Sequence, residues 1–446
     1  MVRRSRSSLR RLLLGALAFV APVAVFELRE APQAEPQEPA APSPLIYKPE
    51  PVTYLAETTN AVARLQDRID SGQTRLTFDA RHGYLRSVLD ELDIPLASQM
   101  LVFSKSSAQM GGIAPDKPRA IYFNDDAYVG WVAGGGLELA AVDPKGGPFF
   151  YTLTQLEDSR PRFERHTLSC VGCHNASDEP GGFVPRLLML SVLPDSDGTA
   201  IGAAALATTD ASPFRERWGG WYVTGTHGRQ PHLGNQVFRD PGSGVRSIPE
   251  HVAGLDLSRG GNVTSLSEYF DTGRYPTPHS DIVALMVLAH QTHVHNLIAA
   301  ANYALAEALA ANPDRDTAGL ARDLAEPVVR AMLFSGEAAL SSPVAGTSGF
   351  ATEFGSRGPR DSQGRSLRDL DLQTRLLRYP LSYVIYSDAF DQMPDALKNY
   401  VYARFHAVLS GEDQTPRFAH LSAADRNAIL SILNDTKPEF ATFARK

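Results

Sequence analysis

The chain is predicted to be an α+β protein, with a β-containing region over residues 51–279 followed by a mainly helical region over 280–446. Three observations predict this. Short runs rich in β-branched and aromatic residues, separated by Gly, Asp and Asn, crowd residues 117–155. From residue 280 onward the apolar spacing changes to that of helices. The composition, 43% hydrophobic and 21% charged over 446 residues, is that of a globular chain with a sizeable core.

Taken in order, residues 1–30 read as an export signal or signal anchor. Residues 1–11 are strongly cationic, and 12–26 form an apolar run broken only by Gly15 and Pro22. No small-x-small cleavage site follows, since Pro22, Phe26, Glu27 and Arg29 stand where small residues are wanted. The run of roughly 15 apolar residues is also shorter than the ~20 that span a bilayer comfortably. Cleavage and membrane anchoring both stay open, and either puts the protein in the periplasm or another extracytoplasmic space. Residues 31–50, rich in Pro, Ala and Glu, read as a solvated tether.

Helical spacing is expected at 59–73 and 82–92. Strands are expected at 119–123, 128–132, 137–142 and 149–153, forming an antiparallel meander, and a hairpin at 185–193 and 200–207. Residues 208–279, rich in Gly, Pro, Arg and aromatics, predict little regular structure. Helices are expected at 281–309, 320–340, 375–390, 395–409 and 423–433, with Ser422 and Thr277 as candidate caps.

A formal charge of −7 without a Lys/Arg block outside the N-terminus argues against nucleic acid as a partner. The chain has two cysteines, Cys170 and Cys173, so it has no disulfide framework. Both fall in Cys170-Val171-Gly172-Cys173-His174. Two thiols at this spacing can add across the two vinyl groups of one porphyrin, and the histidine that follows is carried under the macrocycle as an iron ligand. A redox dithiol would be expected at a helix start after a buried strand, and a zinc site would need a second Cys pair or a His-x-x-x-His partner. Neither context is present. The motif therefore predicts one covalent haem c, held by Cys170 and Cys173, with His174 as the proximal ligand.

The sixth ligand is left open by the sequence. The candidates are His227 and His232, in a loop beside Trp218, Trp221 and Tyr222; Met189, whose ordinary reading is a core strand residue; and Met110, before Gly111-Gly112. Met100 and His166 are further candidates, although His166 is too close to Cys170 to wrap round the porphyrin easily. His290, His293 and His295 share one helix. At about 100° per residue the first two lie on one face and His295 does not, so a metal site there would need Asp or Glu from elsewhere. Hydrogen bonding within a helical bundle is the simpler expectation.

The motif resembles that of cytochrome c proteins in general. The runs at 103–109 (FSKSSAQ), 119–125 (RAIYFND), 218–225 (WGGWYVTG) and 379–386 (YPLSYVIY) resemble a group of exported bacterial single-haem proteins, over roughly residues 95–440. The resemblance implies haem binding and electron transfer with a redox partner protein. It carries no substrate. The alternative is a haem enzyme, peroxidase-like or substrate-oxidising, with an open distal site. No carboxylate pair or nucleophile and base set supports it after residue 180.

Overall fold

A computed structural model of the chain describes residues 54, 56–157, 160–167, 169–175, 184–240 and 247–445. The export segment and tether expected at 1–30 and 31–50 lie outside them. The chain runs through α1 (Ala61–Asp70), α2 (Leu85–Glu91), β1 (Met100–Val102), β2 (Arg119–Phe123), β3 (Ala127–Trp131), β4 (Leu137–Asp143), β5 (Gly147–Leu153), β6 (Glu164–His166), β7 (Leu190–Pro194) and β8 (Ala200–Ala207). Then follow α3 (Ile248–Val252), α4 (Ile282–Ala311), α5 (Thr317–Met332), α6 (Phe350–Ser356), α7 (Asp388–Asp391), α8 (Asp395–Leu409), α9 (Ala423–Thr436) and α10 (Pro438–Phe443). A mixed β/α half with two sheets thus precedes a largely helical half. All the described residues belong to one compact unit, so residue 280 marks a change in secondary structure within it.

β1 to β6 form one antiparallel meander in chain order, and β7 and β8 form a separate hairpin. The β4–β5 turn shows how the local sequence sets the register. Asp143 Oδ1 accepts from the backbone N–H of Lys145 and Gly146, and Gly147 takes φ +70° with no Cβ penalty.

Period-two alternation gives the sheet two faces. Trp131, Leu139, Phe149 and Tyr151 share the face towards the chain leading into α1: Phe149 stacks on Tyr54, and Asn60 Nδ2, at the cap of α1, donates to Tyr151 Oη at 2.8 Å. The opposite face carries the row Tyr128, Ala140, Phe150 and His166, aligned by register across four strands. α4 and the loop holding the cysteines pack over this second face.

α4 is apolar nearly all round because it runs through the core, which is why it is also long and apolar enough to cross a bilayer. Its start is fixed by Asp281, whose Oδ1 accepts from Val283 N at 2.8 Å, while Oδ2 accepts from Thr347 N at 2.7 Å. The cap is therefore Asp281, and the expected Thr277 lies before it. Ser422 does cap α9, in a reciprocal capping box with Asp425.

Three further expectations need correction. Residues 375–390 do not form a helix, since Pro380 lacks an N–H and leaves only a 3-10 turn at Tyr383–Tyr386 before α7. α5 ends at Met332, because Phe334 and Gly336 take positive φ just beyond it. The hairpin starts at Leu190, because the backbone groups at 186–187 bond elsewhere, as described next. β1 and β6 were not foreseen. Each has three residues, too short to show alternation.

Candidate functional site

The cysteine loop leaves β6 at the edge of the large sheet. His166 Nε2 lies 2.7 Å from Thr152 Oγ1, and its Nδ1 lies 3.3 Å from Ser169 Oγ, which ties the start of the loop to β5. The backbone N–H groups of Cys173 and His174 both donate to Cys170 O, at 3.1 and 3.0 Å. This is one tight turn of helical character, and residues three apart on such a turn share a side. Val171 is buried and anchors the turn. Cys170 is half-buried, Cys173 is exposed, and both are free thiols. Burial pushes the Cys170 thiol above its ordinary pKa.

His174 is held more closely. Its ring lies 4.6 Å from that of Phe150 at 43°. Its carbonyl accepts from Arg186 N at 3.0 Å, and its Nδ1 lies 3.1 Å from Arg186 O. A carbonyl can only accept, so Nδ1 carries the proton and the neutral ring keeps its lone pair on Nε2. Burial, the largest influence, holds the imidazole below the usual histidine pKa and so in this neutral form. An imidazole that donates one N–H to a carbonyl and offers the other nitrogen is the usual state of a metal-ligating histidine.

The residues around this loop were not legible in the sequence. Residues 184–187 form a strap that returns beside it. Asn175 Oδ1 accepts from Val184 N at 3.2 Å, and Asn175 pairs with Pro185 in a single β-bridge. The strap is joined to α4 at Asn296, which accepts from Leu187 N and donates to Leu187 O, both at 2.8 Å. Arg119 and Glu138 form a 2.8 Å ion pair on the same sheet face. Asn296 stands in sequence only as one more polar residue after His290, Gln291, Thr292, His293 and His295, and a backbone carbonyl such as that of Arg186 has no signature in sequence.

No known protein family, characterised protein or solved structure matches the chain.

The distal candidates separate clearly. His227 Nε2 accepts from Asn262 N at 2.8 Å, and His232 Nδ1 accepts from Gly234 N at 3.0 Å. Each ring has committed its lone pair to the backbone, and the nitrogen left over carries a proton. In this arrangement neither offers an iron ligand. Met189 is 3% exposed in the core beside β7, as its neighbours Leu187 and Leu190 predicted, and Met100 is buried in β1. His166 is engaged with Thr152. Met110 is different: it is 54% exposed in a 3-10 turn. Ser107 Oγ donates to Glu138 at 2.9 Å and Gln109 Nε2 to Gly136 O at 3.2 Å, holding that turn at the end of the β3–β4 hairpin.

His290 and His293 share a helix face, as the angular argument requires, and Asp210 is the carboxylate that meets them. Asp210 Oδ1 lies 3.2 Å from His293 Nδ1 and 3.5 Å from His290 Nδ1, while His290 Nε2 lies 2.8 Å from Ser382 Oγ. The two histidines hold the Asp210 carboxyl well below its ordinary pKa against the opposing effect of burial. Ser382 and His290 are fully buried, so this Ser-His-Asp order has no route to a substrate. Among the described residues no group of three or more His, Cys, Asp or Glu side chains is arranged to hold a metal ion. His295 points elsewhere, with Nδ1 3.0 Å from Tyr128 Oη.

Proposed function

We propose that the chain is a c-type cytochrome that carries one haem, joined to Cys170 and Cys173, with His174 as the proximal iron ligand, and that it transfers electrons outside the cytoplasm to or from a partner protein. The observation that carries the reading is the state of His174. Its proton is committed to the Arg186 carbonyl, so a neutral Nε2 lone pair stands next to two free thiols on one turn. A redox dithiol would have no use for a histidine held in this way.

When bound, the haem supplies a one-electron couple whose potential is set by its ligands and their hydrogen bonds. The protein's part is to orient His174 through Arg186 O and Phe150, to present the thiols, and to hold a second ligand. Met110 is the favoured second ligand, since its thioether is exposed while His227 and His232 have spent their lone pairs. Anchoring through residues 1–30 belongs to the same proposal, as does an extracytoplasmic location.

The test uses protein produced with export and haem-attachment machinery. The expected result is a reduced spectrum with c-type bands, a six-coordinate low-spin ferric signal, and slow or absent reaction of the ferrous form with carbon monoxide. Rapid stoichiometric carbon monoxide binding at neutral pH would contradict the electron carrier and favour a haem enzyme. Protein that matures without any haem would contradict both.

A further inference from the structure

The strap over residues 184–187 joins the proximal histidine to α4 in two ways: Val184 is buried against Ala299 and Tyr303, and Leu187 is held by hydrogen bonds with the side chain of Asn296. Arg186 bonds His174 through both of its backbone polar groups, N–H to the His174 carbonyl at 3.0 Å and C=O to His174 Nδ1 at 3.1 Å. The next residue, Leu187, gives both of its backbone polar groups to the carboxamide of Asn296, each at 2.8 Å. An Asn amide that accepts from an N–H and donates to the C=O of one residue mimics a strand neighbour, and holds that residue in position and rotation. Pro185 bridges to Asn175 and Met189 O accepts from Thr208 N, but between them Leu187 has no strand neighbour among the described residues, since β7 begins at Leu190. Asn296 therefore stands in for one. Behind it α4 is a rigid backing, with its buried face running from Ile282 to Leu305.

We infer that Asn296 is a positioning residue for the haem: by holding Leu187 it keeps the Arg186 carbonyl against His174 Nδ1–H, and so sets the tautomer, orientation and basicity of the proximal ligand. The inference rests on the cytochrome reading above and deepens it. Donation of the Nδ1 proton to a carbonyl makes the imidazole a stronger electron donor, which favours the ferric state. Loss of the Asn296 anchor lets the carbonyl drift, weakens that donation and moves the midpoint potential to more positive values. The Fe–His stretching band, read in the five-coordinate ferrous form that a Met110→Ala background supplies, moves to lower frequency with it. A role confined to holding the fold together would change the melting temperature and leave both of these in place.

The experiment compares wild type with Asn296→Ala, Asn296→Gln and Asn302→Ala as holoproteins, with the Fe–His stretch of each read in a Met110→Ala background. Asn296→Gln keeps the donor and the acceptor on a side chain one methylene longer. Asn302 is a buried amide two turns further along α4 whose Oδ1 has no hydrogen-bond partner, and it serves as the control for losing an amide from this helix. All are checked first for covalent haem on a denaturing gel. The inference expects a positive shift in midpoint potential and a lowered Fe–His stretch in Asn296→Ala, a smaller shift in Asn296→Gln, and wild-type values in Asn302→Ala. Should the alanine protein not accumulate, Asn296→Ser makes the same comparison. Unchanged potential and stretch in an Asn296→Ala or Asn296→Ser protein that carries haem would overturn the inference while leaving the cytochrome reading intact. Wild-type protein without covalent haem would remove that reading, and the inference with it.

Discussion

The cysteine loop with its strap, residues 169–175 and 184–187, and the aromatic segment at 218–235 look alike as haem surroundings on composition alone. Both contain Gly, aromatic or histidine residues and little regular structure. Their hydrogen bonding is opposite. In the aromatic segment every described histidine accepts from the backbone, and Asn235 closes the segment on itself: its Oδ1 accepts from Val223 N at 2.7 Å, and its Nδ2 donates to Val223 O and Gly260 O. In the cysteine loop the single histidine gives its proton to a carbonyl and keeps a lone pair. A ligand is recognised by what its nitrogen has left to offer, and the residue types nearby say little about that.

Breaking the closed segment is expected to have the largest effect. A Cβ on Gly219 would lie 2.0 Å from Val192 O, which no side-chain rotation relieves. Gly219→Ala is predicted to cost several kcal/mol, on the order of a severe overpacking mutation. Circular dichroism should find little folded protein, and a normal melting curve would refute the close approach.

The second prediction concerns pH. Burial holds the His232 pKa at about 3, against 6.5 for the free side chain. Below pH 6.5 the unfolded chain gains a proton here that the folded chain refuses, so stability falls as pH drops from 6.5 towards 3, by a few kcal/mol in all. Above pH 6.5 this residue contributes no slope. Asn at this position can accept from Gly234 N without titrating. Urea titrations at pH 7 and pH 4.5 should therefore show a smaller acid loss in His232→Asn than in wild type, and equal losses would refute the assignment.

Met110→Ala should have the smallest effect on stability, within about 0.5 kcal/mol, because the side chain is more than half exposed. Its effect on the holoprotein is expected to be spectroscopic: loss of the six-coordinate signal and rapid carbon monoxide binding. A spectrum identical to wild type would exclude Met110 as the sixth ligand.

The sequence carried the architecture in outline and the Cys170-x-x-Cys173-His174 motif as one continuous run. The four central strands of the meander were legible from alternation and from the Asp143 to Gly147 turn. Helices α1, α2, α4, α8 and α9 were legible from their spacing. What was lost depended on tertiary pairing: three-residue β1 and β6, the end of α5 at a left-handed Phe334, and the non-helical stretch around Pro380. At the site, Cys170, Cys173 and His174 stand in five consecutive positions. Arg186 O, Phe150 and Asn296 are brought in from 12 to more than 100 residues away, and their role is visible only as hydrogen bonds and ring contacts. His227 and His232 were indistinguishable from ligands until their acceptor bonds were known.

The central claim is the covalent bond between these two cysteines and a haem, and denaturation tests it most directly, because thioethers survive where a non-covalent cofactor is lost. Wild-type protein and a Cys170→Ala/Cys173→Ala double variant, both produced with export and haem-attachment machinery, are run on a denaturing gel and stained for haem. The account predicts a stained wild-type band, with its mass raised by one haem, and an unstained double variant. An unstained wild type, or equal staining of the two, would contradict it.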